Sequence, residues 1–154
     1  MRAVVVRTYG GPEALEIEEL PLPIPGPGQI RIRVRAAAVN PVDVFVRSGT
    51  AALAGMLPDR AGVGIGWDVA GEVDAVGPAL VAAASSAGGE AFAVGDRVVG
   101  LSDRLDVPTA GYADYLVLDA DSVAAAPREV SFEAAATLPL NGLTAAPALA
   151  GLGL

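Results

Sequence analysis

Between Gly62 and Gly71 the chain reads GVGIGWDVAG, and this run of glycines admits two structures. A dinucleotide-binding loop needs its glycines in a tight turn between a strand and a helix, so that backbone amides and the helix N-terminus reach a pyrophosphate. A crowded sheet needs small residues where another backbone comes close. The glycines fall at 62, 64, 66 and 71, so the G-x-G-x-x-G spacing fails at Trp67 or Val69, and the text that follows is β-rich rather than helical. The stretch is therefore read as sheet.

The rest of the chain supports a mainly β fold with short helices. Ala3–Arg7 is a β-branched run closed by YGGPE, and Leu15–Leu20 alternates apolar Leu15 and Ile17 with outward acids. PLPIPGPG, residues 21–28, has a proline at every second position and predicts an extended connector that joins no central ladder. IRIRVR, residues 30–35, puts Ile30, Ile32 and Val34 on one face and Arg31, Arg33 and Arg35 on the other. That arginine face is read as solvated, with a phosphate-binding stripe as the alternative. Asn40 followed by Pro41 predicts a helix start, and Gly49 its end. Strands follow at DVAGEVDAVG, VGDRVVGL and GYADYLVLDA.

Residues 79–92, ALVAAASSAGGEAF, have little to bury and predict a flexible surface loop. From Ser131 the pattern turns helical, with Ser131 as a cap beside Glu133, and Pro147 is expected to interrupt the Ala/Leu-rich segment that follows. The whole chain, residues 1–154, is expected to be one domain.

Composition removes several chemistries. Cysteine and histidine are both absent, so Ser-His and Cys-His catalysis cannot be built and any metal would need oxygen ligands. A formal net charge of -8, with arginine as the only basic residue, argues against nucleic acid as a partner. No apolar run approaches the roughly 18 residues of a membrane span, and no secretory segment opens the chain, so a cytoplasmic location is expected.

The ordered set GWDVAGEVDAVG, FAVGDRVVGL, GYADYLVLDADSVAAAP and SFEAAATLPLNGLTA, preceded by the first 49 residues, resembles the medium-chain dehydrogenase/reductase superfamily. It is most similar to the zinc-free quinone oxidoreductase and enoyl reductase branch. The resemblance implies a GroES-like, partly open β-barrel with C-terminal helices. In zinc-dependent relatives cysteine would stand at Asn40 and His-Glu at Trp67–Asp68; amide and indole cannot replace those ligands, so no metal is expected.

The resemblance also nominates residues. Asn40 would stand beside the nicotinamide and a substrate carbonyl as an amide donor, or serve as a helix cap, or both. Asp43 is a candidate catalytic acid, with a structural acceptor as the alternative, and Asp68 is read as structural. Phe45, where relatives carry tyrosine, and Trp67 are candidate pocket walls, although Trp67 also fits a core position. Asn141 and Thr144 are candidate contacts to the nicotinamide.

In the family the text would run on into a Rossmann domain that binds NADPH, whereas this sequence stops at Leu154 with no βαβ unit. NADPH is therefore implied, but this chain alone is not expected to hold it. Three expectations stand: half of an NADPH-dependent reductase for quinones or enones, with a separate Rossmann-domain partner; a cofactor-free binder, lyase, cyclase or isomerase of small molecules; or a non-catalytic assembly subunit. Uncovered Leu138, Leu143 and Leu149 predict a homo-oligomer under each.

Overall fold

The computed structural model describes residues 1–57, 62–78, 92–104 and 108–153. The predicted loop at 79–92 therefore lies, apart from Phe92, outside the described residues. In chain order the elements are β1 (Arg2–Val6), β2 (Leu15–Glu19), β3 (Gln29–Ala37), α1 (Pro41–Arg47), α2 (Thr50–Leu53), β4 (Val63–Gly64), β5 (Asp68–Val76), β6 (Arg97–Leu101), β7 (Tyr115–Asp119), β8 (Val123–Ala125), α3 (Phe132–Ala135) and α4 (Leu138–Gly151).

Among the described residues the strands form two sheets, ordered β2-β1-β4 and β7-β3-β5-β6-β8, and every ladder is antiparallel. The larger sheet curls into a half-barrel. Its longest ladder, β3 on β5, shifts register between Arg31 and Ile32 and again between Val34 and Ala36. Such irregularities bend a strand and increase its twist.

The two-residue period of IRIRVR sends Ile30 and Ile32 into the core, where they pack with Val69, Val73, Val98, Leu116 and Leu118. Each such side chain contributes about 2 kcal/mol of burial free energy. The arginine face is solvated as expected at Arg33 and Arg35, both exposed. Arg31 lies half-buried, its Nε donating to Asp74 Oδ2 at 2.7 Å, and Arg35 donates to Glu72 at 2.7 Å. Two of the three cations are thus paired with acids from β5, which takes them from a phosphate stripe.

β5 is covered on both faces. Val69 and Val73 enter the main core, while Ala70 lies in a second cluster with Val99, Ala126, Ala135 and Ala136 beneath α3. Double coverage explains the small residues of the opening stretch. A Cβ on Gly71 would run into the carbonyl oxygen of Arg33 on the neighbouring strand.

Two expectations change. Ile17 on β2 is 74% exposed, because among the described residues β2 is an edge strand that pairs with β1 alone and nothing covers its apolar face. α4 runs without a break from Leu138 to Gly151 through Pro147. A proline there removes one backbone donor, and on a helix whose residues from Asn141 to Ala150 are all exposed, water can satisfy the freed carbonyl. The cap at Ser131 forms as expected, its Oγ accepting from Ala134 N at 3.2 Å.

Candidate functional site

α1 begins as its sequence predicts. Asn40 is extended, Pro41 fills the first helical position, and the Asp43 carboxylate reaches back to accept from Asn40 N at 2.7 Å. This satisfies a donor the helix itself leaves orphaned. Asp43 is only 3% exposed and takes two further donors: Gly66 N on Oδ1 at 3.1 Å and the Tyr112 hydroxyl on Oδ2 at 2.9 Å.

Gly66 can make this bond because its backbone sits at φ +101°, and because its missing side chain leaves room for Tyr112. A Cβ there would collide with the Tyr112 ring and backbone. The glycine stretch thus delivers a backbone N–H to a buried carboxylate.

Asn40 is 8% exposed, and its side chain turns to the second buried acid. Nδ2 donates to Asp68 Oδ2 at 2.8 Å, while Asp68 Oδ1 accepts from the backbone of Leu140, in the first turn of α4, at 2.8 Å. Asn40 and Asp43, neighbours on one helix start, are therefore joined to β5 and α4 through Asp68. Tyr112 ties the same cluster to the end of β3, its hydroxyl also lying 3.2 Å from the carbonyl of Ala38.

Burial raises the Asp43 carboxyl above its ordinary range, opposed by the bonds from Asn40, Tyr112 and Gly66. Burial, reinforced by the neighbouring Asp43 charge, raises the Tyr112 phenol. Tyr112 therefore stays protonated and acts as a donor at neutral pH.

The remaining nominated residues are placed differently. Phe45 packs, partly buried, against Val46, Ala51 and Val63. Trp67 is half-buried at the entry to β5, where its carbonyl accepts from Ser102 N at 2.8 Å. Asn141 and Thr144 are exposed on α4 and spend their polar groups on that helix, Nδ2 on the carbonyl of Thr137 at 2.8 Å and Oγ1 on that of Leu140 at 2.7 Å. A groove of about 320 Å³, lined by Val99, Leu101, Ser122, Pro139 and Leu143 among others, opens beside the first turns of α4.

Sequence reasoning missed Tyr112. Its only signal was an aromatic residue directly after Gly111, and nothing local says that its hydroxyl crosses to a helix near residue 43.

An antiparallel half-barrel with short helices defines a GroES-like domain of the medium-chain dehydrogenase/reductase superfamily. The chain belongs to the alcohol dehydrogenase GroES-like domain family, which matches over residues 26–128. It is 37% identical over 150 residues to a quinone oxidoreductase of Lama guanicoe, covering 97% of this chain and 40% of that protein. It superposes on the quinone oxidoreductase of Coxiella burnetii with a TM-score of 0.82 at 32% identity, covering 98% of this chain and 44% of the other. A mycobacterial protein solved with NADPH gives 0.77 at 37% identity, with coverages of 94% and 39%. The chain thus spans about two fifths of the length of these relatives.

Two groups associated with this superfamily can be tested against the residues. Zinc does not fit: the amide and indole at Asn40 and Trp67 are not zinc donors, the Asp43 and Asp68 oxygens already accept N–H and O–H bonds, and no metal-ligating group of three assembles among the described residues. For a dinucleotide the fit is partial. Asn40 offers an amide donor, but with only antiparallel ladders the described residues contain no βαβ phosphate cradle. No helix among the described residues is long and apolar enough to cross a membrane.

Proposed function

We propose that this chain is the substrate-binding and catalytic half of a zinc-independent, NADPH-dependent reductase acting on quinones or activated alkenes such as enones. The observation that carries the reading is the Asn40 amide: nearly buried, fixed at the start of α1, with Asp68 taking one of its two N–H donors. The second N–H is suited to a substrate carbonyl oxygen. A fixed donor aimed where negative charge develops contributes about 3 kcal/mol to catalysis.

NADPH, when bound, supplies the hydride. Asn40 stabilises the oxygen that becomes enolate-like, and Asp43 keeps α1 and the Gly66 turn in register behind it. Phe45 and Trp67 shape the approach to the amide, and Asn141 and Thr144 stand on the helix that would flank the nicotinamide. The pyrophosphate is held by a Rossmann-type domain that these residues do not include, either on the same polypeptide or on a partner chain.

The test combines this chain with a Rossmann cofactor domain and follows NADPH consumption with menadione and with cyclohexenone as acceptors. Asn40→Ala is expected to lower kcat about 100-fold, with KM much less affected. Equal turnover by the variant overturns the reading. Calorimetric titration of this chain alone with millimolar NADPH is expected to show no saturable binding. Binding of menadione to this chain, with no cofactor domain conferring reduction, would favour a cofactor-free binder or isomerase instead.

A further inference from the structure

Asp68 is completely buried at the first position of β5, and both its oxygens are engaged: one by the Asn40 side chain, the other by the backbone of Leu140. An ionised carboxylate only accepts hydrogen bonds. It therefore dictates which end of the Asn40 amide faces it, since turning the amide over would set oxygen against oxygen in a buried space.

Asp68 also takes an N–H from the first turn of α4, one of the donors a helix cannot satisfy internally. We infer that Asp68 is a positioning residue of the site: it locks the Asn40 amide with its NH2 end as the donor and couples that amide to the start of the helix carrying Asn141 and Thr144. The inference rests on the reading of Asn40 as the carbonyl donor, and extends it to the group that sets the donor's polarity.

The geometry separates polarity from packing. Asp68→Asn keeps the shape but presents an NH2 group to one of two donors, so it holds Leu140 and Asn40 together only if the Asn40 amide turns over and offers its oxygen, which withdraws the Asn40 NH2 from position 68. Combining Asn40→Asp with Asp68→Asn rebuilds a hydrogen bond of reversed polarity: the amide introduced at position 68 donates to the new carboxylate and still accepts from Leu140. Packing is restored, and the donor is lost.

The full chain, labelled with nitrogen-15, reports the first effect without any cofactor. In the wild type the Asn40 side-chain amide is expected to exchange with solvent at least about tenfold more slowly than a free amide, as a retained buried hydrogen bond requires. Asp68→Asn removes that protection. In the reconstituted reductase the same variant lowers kcat for menadione about tenfold or more, with little change in KM. The double variant recovers thermal stability without turnover, and it carries the test if the single variant does not fold.

Unchanged Asn40 exchange in Asp68→Asn, or recovered turnover in the double variant, overturns the inference. If Asn40→Ala abolishes turnover while Asp68→Asn retains it, the inference falls and the function stands. If Asn40→Ala leaves turnover intact, both fall.

Discussion

The Tyr112 hydroxyl donates to Asp43 Oδ2 at 2.9 Å across 69 positions of sequence, joining the approach to β7 to the first turn of α1. Three donors from three segments, Asn40, Gly66 and Tyr112, converge on that carboxylate.

Tyr112→Phe deletes one donor and leaves the ring in place. A buried hydrogen bond to a charged acceptor contributes about 1–3 kcal/mol. Urea unfolding at neutral pH is expected to show a loss in that range with an unchanged m-value. A variant as stable as the wild type would remove Tyr112 from the account of the site.

The titration of Asp43 has a definite sign. Its folded value is raised by burial, so its contribution to stability is complete below the ordinary aspartate value and is lost as pH rises through the raised one. Asp114 behaves oppositely: hydrogen bonds from the Arg2 side chain and backbone lower its value, so its contribution is present above the ordinary value and is lost as pH falls through the lowered one. Carboxyl resonances followed against pH should place the Asp43 midpoint above that of Asp114. The reverse order would contradict both environments.

Gly71→Ala places a methyl group against the carbonyl of Arg33, between two strands that cannot part without breaking the β3–β5 ladder. A cost of at least about 3 kcal/mol is expected. Gly28→Ala is the comparison: at φ +75° with open space around it, it carries only backbone strain, about 1 kcal/mol. Comparable unfolding midpoints for the two variants would show that the close approach is not limiting.

α4 exposes Leu143 at 62% and Leu149 at 49%. If these surfaces meet in an oligomer, Leu143→Glu with Leu149→Glu is expected to shift light scattering toward monomer while the circular dichroism of the helices is retained. A wild-type chain that is already monomeric at high concentration would defeat this expectation.

Legibility followed the range of the interactions. The two-residue period of IRIRVR announced which isoleucines enter the core, because side chains alternate along any strand. Asn40-Pro41 and Ser131 announced helix starts, because capping is settled within four residues. The exposure of Ile17 was not legible: alternation identifies two faces, and only the neighbouring layers decide whether either is covered. Arg31 looked like a surface charge until β5 brought Asp74 beside it. Pro147 predicts a break by local pattern, yet a solvent-exposed helix tolerates the lost donor.

The site divides in the same way. That Asn40 and Asp43 belong together follows from their spacing of three on one helix start, and the absence of cysteine and histidine decides by composition which chemistries are closed to the chain. That Asp68 orients the Asn40 amide, that Leu140 shares the same carboxylate, and that Tyr112 completes the shell of Asp43 were decided only when distant strands and helices packed. The reason is physical: a local pattern fixes dihedral angles and the direction of a side chain, whereas the partner of a buried polar group is whichever donor the closed fold delivers within hydrogen-bond reach.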